Sequence, residues 1–305
     1  MSGVLDDSPG GEAGEGPGAV PVARPDKRFG GSDGSDGWSG GFYAAVVVRG
    51  FRRYATYRTA TAAGVVTNTV FGFIITYSYI ALWDQRPHLG GYTEPQALTY
   101  VWIGQALLAP LALMGGGFED ELMERIRSGD IAVDLYRPAD LQGWWLSSDL
   151  GRAGFHLLGR GVAPMVFGAL VFTIALPSDA LTWALFLVSV ALGVMVSFAV
   201  RFLVALSAFW LLDGAGVSQV VWLAGLFFSG MLLPLTVFPG WLGELARALP
   251  WAAMLQVPAD VMLGRHRGSD ALLALAFQAG WAALLLGAGR ALQAMATRRV
   301  VVQGG

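Results

Sequence analysis

Long apolar stretches alternate with short polar ones along most of the chain. A helix rises about 1.5 Å per residue, so about 20 apolar residues cross the hydrocarbon core of a bilayer. Six stretches reach this length: Ala62–Trp83, Ala97–Gly116, Leu157–Leu176, Thr182–Leu203, Ser218–Phe238 and Ala271–Arg290. Prolines inside them are tolerated because neighbouring helices satisfy the carbonyl groups that proline leaves free. The pattern predicts an all-α integral membrane protein with six transmembrane helices.

The N-terminal region separates into a polar tail and an amphipathic segment. Residues 1–40 contain 11 glycines and 7 acidic residues, with too few large apolar groups to offset the entropy of ordering. We therefore expect a disordered cytoplasmic tail over 1–40 and one membrane domain over 41–305. Between Phe42 and Thr61, aromatic residues share one helical face and arginines share the other. This predicts an interfacial helix on an anionic leaflet; an N-terminal extension of the first span is the alternative.

A charged segment, Phe118–Leu150, separates the second and third predicted spans. Phe118, Leu122 and Ile126 recur every fourth residue and so share one face of a short helix. The opposite face carries Asp120, Glu124 and Arg127. A short amphipathic helix between two spans is suited to serve as a docking handle. Its apolar face would fill either a groove on a partner or a seam against the spans.

The sequence also predicts how this helix is stabilised and where it ends. Glu121 and Arg125 have the favourable i,i+4 order of an acid before a base. Ser128-Gly129-Asp130 then stops the helix, with Gly129 in the left-handed conformation common at helix ends. Arg137-Pro138 follows, and a residue before proline is driven to an extended or turn conformation. A helix of about ten residues is marginal alone and needs packing against other elements.

The segment Pro239–Asp270 is too apolar for a solvated loop and too often interrupted by proline for a span. It carries Trp241 and Trp251, and tryptophan favours the membrane interface. We expect re-entrant or interfacial half-helices that fold back onto the outer mouth of the bundle. A small soluble cap is the alternative.

The distribution of basic residues predicts the orientation. Of the 20 Lys and Arg residues, only Arg86, Arg247, Arg265 and Arg267 fall on the side of the bundle that carries this last segment. Cytoplasmic loops carry the excess of Lys and Arg. We therefore expect a multi-pass protein of the cell membrane with both termini and the charged segment in the cytoplasm.

Composition excludes several kinds of chemistry. The chain is 54% hydrophobic with a mean hydropathy of +0.54, as expected of a membrane protein. It has no cysteine, and its three histidines have no ligand spacing, so we expect no disulfide and no metal site. The single lysine, Lys27, is not part of a glycine-rich phosphate loop. We therefore expect no ATP hydrolysis by this chain alone.

The six predicted spans contain no Asp, Glu or Lys, and their few arginines lie near the cytoplasmic ends. Ion-coupled transporters usually place an ionisable residue within their spans, so the pattern disfavours a secondary transporter. Ser207, Ser229 and Thr236 have no matching base, and we expect no catalytic residue. A non-transporting membrane scaffold or assembly protein remains an alternative.

Two stretches carry a family resemblance. The first lies within Gly104–Gln142 and contains GQALLAPLAL and ERIRSGDIAVDLYRPADLQ. Its pattern positions are Glu124, Ile126, Arg127, Gly129, Ile131, Ala132, Asp134, Leu135, Arg137 and Pro138. The second is FFSGMLLPLTVFPGWL, Phe227–Leu242, followed by Leu249-Pro250. Over residues 42–300 the chain resembles the six-span permease subunits of ABC transporters of the type 2 exporter class.

The resemblance implies a transport permease, with export of a hydrophobic or amphipathic small molecule, lipid or glycan. It implies a homodimer or a pair with a second permease, bound to a separate ABC ATP-binding subunit that holds ATP and Mg. The chain itself would then hold no cofactor; membrane lipids are expected partners and nucleic acid is not. The loop between spans two and three would supply the coupling helix. Its expected ATPase-coupling residues are Phe118, Glu121, Leu122, Glu124, Arg125, Ile126, Arg127, Gly129, Asp130, Asp134, Arg137 and Pro138.

Overall fold

The computed structural model describes residues 37–136, 139–211 and 214–303, and within these ranges the regular elements are all helical. The helices are α1 Gly37–Ala55, α2 Arg58–Gln85, α3 Glu94–Leu107, α4 Glu119–Ser128, α5 Ile131–Leu135, α6 Leu141–His156, α7 Val162–Val171, α8 Ala180–Leu206, α9 Ala215–Phe228, α10 Gly240–Ala248, α11 Gln256–Met262 and α12 Ser269–Gln303. The prediction of an all-α membrane protein is confirmed. Most of the predicted N-terminal tail lies outside the described residues, and 37–40 belong to α1.

Four continuous helical stretches are long and apolar enough to cross a membrane. They are Arg58–Gln85, Leu141–Val171, Ala180–Phe209 and Ser269–Arg298. In the most apolar part of α8, half of the residues are buried inside the protein, whereas about a fifth are buried in the corresponding parts of the other three stretches. Helix α8 is therefore central and packs against α12, α11 and α4.

Two predicted spans lose their helical structure about halfway to two thirds along their expected length. The second, Ala97–Gly116, ends as a helix at Leu107 and continues as turns. Pro110 lacks the N–H that would continue the helix, and Ala112 has a φ of 48°. The fifth, Ser218–Phe238, ends as a helix at Phe228, because Gly230 with a φ of 89° turns the chain. The prediction of helical structure was therefore wrong for the part of the second span after Leu107 and for the part of the fifth span after Phe228.

The third span begins earlier than predicted. Instead of starting at Leu157, the helix starts at Leu141 and runs to Val171 through one π-helical turn, Leu157–Gly161. Asp140 caps it, since the Asp140 carboxylate accepts a hydrogen bond of 2.7 Å from the N–H of Gly143. The end of the charged segment is therefore part of a membrane helix.

The N-terminal helix α1 packs along α6. A Cβ atom on Gly50 would lie 2.5 Å from the carbonyl oxygen of Ser148, and one on Gly151 would overlap the backbone at Val47. Helix α1 ends at Ala55, and α2 begins at Arg58. The predicted interfacial segment thus ends at a break, and its last residues belong to the first span.

The segment predicted to fold back onto the bundle forms α10 and α11. All residues of α11 are buried, and the helix packs against α8. Gly193 permits close approach, because a Cβ atom there would lie 2.8 Å from the carbonyl oxygen of Met254. Helix α4 contacts the C-terminal part of α8, where Arg201 of α8 forms an ion pair with Glu119 of α4. The bundle therefore has two distinct ends, one carrying α4 and the other the folded-back segment.

Candidate functional site

Helix α4 forms where the charged segment predicts a helix. Its first turn holds three carboxylates and its last turn holds two arginines, which complements the partial charges of the helix ends. Arg125 Nε lies 3.7 Å from Glu121 Oε1, the expected i,i+4 pair. Gly129 follows the helix with a φ of 84°, so its predicted left-handed conformation is confirmed.

The apolar face of α4 fills a seam against the spans. Phe118 and Leu122 are buried in a cluster with residues of α6 and α8, and Ile126 packs against the same cluster. The ring centroid of Phe118 lies 4.8 Å from that of Phe198 on α8 and 5.6 Å from that of Trp145 on α6. Of the two alternatives for this face, the structure shows the seam.

A buried ion cluster, Glu119–Arg201–Asp149–Arg152, lies directly behind this seam. Arg201 on α8 donates to Asp149 Oδ2 at 2.6 Å and to Glu119 Oε2 at 3.2 Å. Arg152 Nε donates to Asp149 Oδ1 at 2.6 Å. All four residues are buried, and two guanidinium groups balance two carboxylates. Buried charges of this kind require such pairing.

The cluster also holds the broken end of the second span. Arg152 donates from both terminal nitrogens, to the carbonyl oxygens of Ala109 and Pro110, each at 2.8 Å. These carbonyls lie in the turns after α3, where a regular helical partner is missing. The ion cluster therefore joins α4, α6, α8 and the end of α3.

This cluster corrects the expectation that the spans lack carboxylates. Asp149 belongs to the long helix Leu141–Val171 and is buried. Its pairing with Arg201 and Arg152 makes it a structural charge, unlike the exchangeable carboxylate of an ion-coupled transporter. The sequence did carry a signal, because Asp149 and Arg152 are spaced i,i+3 on one helical face.

Helix α5 follows Gly129 and contacts α4. Asp134 is buried and pairs with Arg125 Nη1 at 3.0 Å, while Asp130 accepts a hydrogen bond of 3.0 Å from the Ser128 hydroxyl. Glu124 and Arg127 are exposed and lie 3.8 Å apart. Of the remaining predicted coupling residues, Arg137 and Pro138 lie outside the described residues.

Two large side chains of this region face solvent. Val133 is 61% exposed and Tyr136 is 90% exposed. They lie at the end of the α4–α5 unit, on either side in sequence of Asp134, whose carboxylate pairs with Arg125 of α4. Helix α4 is also paired with α1, since Arg53 Nη1 lies 3.1 Å from Glu121 Oε2. We call Val133 and Tyr136 the exposed tip.

The opposite end of the bundle is fixed by a buried polar network. Gln256 Nε2 donates to Asp260 Oδ2 at 2.7 Å and to the Tyr92 hydroxyl at 2.8 Å, and its Oε1 accepts from Tyr100 at 2.9 Å. Tyr92 in turn donates to Asp260, and Arg265 lies over the Tyr92 ring at 4.0 Å. Burial and the charge of Asp260 raise the pKa of Tyr92. This network holds the folded-back segment against α3.

A cavity of about 360 Å³ opens between α8, α9 and the turns that follow α3. Glu119 and Asp120 of α4 line it, together with Arg201. Burial and the nearby charge of Glu119 raise the pKa of Asp120. The ion cluster thus forms part of a cavity wall at the α4 end of the bundle.

Comparison with known proteins identifies the family. Among curated proteins, none matches the chain. Residues 66–304 match the family described as ABC-2 family transporter protein, which is well over half of the chain. The proteins of this family are membrane transport components that partner in general with an ABC ATP-binding subunit. The chain therefore belongs to the ABC-2 transporter family and is a multi-pass permease of an ABC transporter.

Proposed function

We propose that the chain is an exporter permease of the cell membrane, driven by a separate ATP-binding subunit that docks on α4 and α5. It would work as a homodimer or with a second permease, with both termini in the cytoplasm. ATP and Mg would be held by the docked subunit. The observation that carries this proposal is the firm attachment of α4 to the spans. The substrate class is that of hydrophobic or amphipathic small molecules, lipids or glycans.

A coupling helix must move together with the spans that it drives. Helix α4 meets this requirement twice, through the buried ring of Phe118 against Phe198 and through the ion pair of Glu119 with Arg201. Both contacts reach α8, the most buried span. A rigid contact between packed side chains transmits displacement, whereas a solvated loop absorbs it.

Because the apolar face of α4 is occupied by the spans, the docking contact must use another surface. The exposed tip, Val133 and Tyr136, is the apolar part of the α4–α5 unit that faces solvent. Tyrosine is enriched in the centres of protein interfaces, where its ring is buried and its hydroxyl finds a partner. The exposed charges Glu124 and Arg127 would form the polar rim around it.

Copurification of the ATP-binding subunit tests this proposal. We expect Tyr136→Asp to lose the subunit, because a charge in a buried contact costs several kcal/mol when unpaired. Tyr77→Asp is the control, since it makes the same substitution at Tyr77 on α2, which is 61% exposed and belongs to a different helix. Both variants should insert normally. Retention of the ATP-binding subunit and of export by Tyr136→Asp would contradict docking at the tip.

The same assay separates a permease from a membrane scaffold. A permease requires an ATP-binding subunit for activity, so tagged wild-type protein purified from its native membrane should carry one. Identification by mass spectrometry gives the result directly. Absence of any ATP-binding subunit, under conditions that keep the membrane domain dimeric, would favour a scaffold or assembly role.

A further inference from the structure

The cavity at the α4 end has both apolar and charged residues in its lining. Its volume of about 360 Å³ is within the range of small-molecule sites, about 300–1,000 Å³. Apolar side chains from α9, the turns after α3 and the folded-back segment contribute to its lining: Leu111, Leu113, Val221, Trp222, Trp251 and Met254. Most of such a ligand would therefore contact apolar surface.

The charges of the cavity do not balance. Glu119 pairs with Arg201, and Arg201 and Arg152 both pair with Asp149, so these four charges cancel. Asp120 also lines the cavity, and within the described part of the chain it has no ion-pair partner. The neighbouring Glu119 carboxylate adds repulsion instead. The cavity wall thus carries one uncompensated negative charge.

The aromatic lining suits the same kind of ligand. Trp222 and Trp251 both line the cavity, and Trp251 contacts the position of Gly225 on α9. The faces of indole rings attract cations, and tryptophan is the most effective of the aromatic residues in this respect. A cavity with an unpaired carboxylate and two tryptophans favours a positive charge attached to an apolar body.

We propose that this cavity binds amphipathic organic cations, with the charge near Asp120 and the apolar body against Trp222 and Trp251. The site names a substrate class for the permease and, in that respect, rests on the proposed function. Binding itself requires only this chain.

Binding of two ions of the same shape and opposite charge tests the proposal. The probes are tetraphenylphosphonium and tetraphenylborate, and the protein is the full chain in nanodiscs of uncharged lipid. We expect wild-type protein to bind tetraphenylphosphonium above the level of empty nanodiscs and to bind tetraphenylborate less. Removing one nearby charge should weaken cation binding about tenfold. The variant that removes it is Asp120→Asn, which keeps the shape of the side chain.

Glu124→Gln is the matched control, because it removes one carboxylate from the same helix at a position 72% exposed and outside the cavity lining. It should bind tetraphenylphosphonium like the wild type. Trp222→Ala should also weaken cation binding, with folding verified by the melting temperature. Asp120 is exposed, so Asp120→Asn is expected to fold whatever the fate of the tryptophan variant.

Equal binding of the two ions, or unchanged cation binding by Asp120→Asn, would overturn the proposal. Either result would leave the docking experiment untouched, because that experiment measures retention of the ATP-binding subunit at Tyr136. Conversely, selective cation binding with no subunit retained would support the site while contradicting the permease mechanism.

Discussion

Replacement of Arg201 by methionine should strongly destabilise the membrane domain. The Arg201 side chain is 9% exposed and contacts Asp149 at 2.6 Å and Glu119 at 3.2 Å. Its guanidinium carbon also lies 5.1 Å from the centre of the Phe118 ring. Methionine retains an unbranched apolar side chain of similar length. The change therefore removes the charge and the hydrogen bonds while leaving much of the packing.

The expected magnitude follows from the partners that remain. Removing one member of a buried ion pair costs about 3–5 kcal/mol, because the other charge stays buried without compensation. In the variant, Asp149 still has Arg152 as an ion-pair partner at 2.6 Å. The loss of folding free energy should therefore lie near the lower end of this range, at about 3 kcal/mol. The exposed pair of Arg127 and Glu124, 3.8 Å apart, supplies the control. Breaking such a surface pair costs about 0–1 kcal/mol.

The melting temperature of the detergent-solubilised protein measures this difference. A loss of 1 kcal/mol lowers the melting temperature of a large domain by about 2–4 °C. We therefore expect Arg201→Met to lower the melting temperature by about 6–12 °C and Arg127→Met to lower it by at most about 4 °C. The double variant Arg201→Met with Glu119→Gln should recover part of the loss, since it removes one stranded charge. Equal melting temperatures for the two single variants would refute the reasoning.

Three other expectations concern packing, topology and activity. Gly151→Leu should destabilise the protein by about 1–3 kcal/mol because it overpacks the crossing of α1 and α6. Gly154→Ala should be tolerated, because the nearest atom to the added Cβ lies 3.9 Å away. Melting temperatures measure both effects, and equal stability of the two variants would contradict the close crossing. The chain has no cysteine, so single cysteines can report its orientation. Cysteines at Ser178 and Ser269 should react with an impermeant maleimide in intact cells, while one at Ser128 should stay protected. Equal labelling rates at the three positions would show that the predicted orientation is wrong. The purified chain should show no ATPase activity, and ATP turnover abolished by a mutation in this chain would disprove that.

Local features of this fold could be predicted from the sequence. The four-residue spacing of Phe118, Leu122 and Ile126 defines the buried face of α4, and Gly129 ends the helix, because both depend on residues close together in the chain. The apolar stretches likewise mark most of the spans. Their helical limits were predicted less well at Leu107 and Phe228, since apolar composition is the same in a helix and in a buried turn. Pro110 was the available signal for the first of these breaks.

The ion cluster could not be predicted, because its partners are distant in sequence. Arg201 is 52 residues from Asp149 and 82 residues from Glu119. Periodicity reports the face of one helix and carries no information on which faces meet. The prediction that the third span begins at Leu157 added to the error, since it placed Asp149 in a solvated loop. The packing of α6 against α8 is what buries it.

The position of the cluster determines how movement of α4 would reach the spans. The covalent connection from α3 to α4 passes through Gly115, Gly116 and Gly117, and the first two have φ values of 75° and 81°. Glycine has no Cβ to restrict its backbone dihedral angles, so consecutive glycines favour a connection that is conformationally permissive. The ion cluster provides a second connection between α4 and the spans. Glu119 at the start of α4 pairs with Arg201, and Arg201 pairs with Asp149. Asp149 pairs in turn with Arg152, which donates to the carbonyl groups after α3. A displacement of α4 would therefore act on α8, α6 and the broken span through buried hydrogen bonds, and it would do so without stretching the glycine linker.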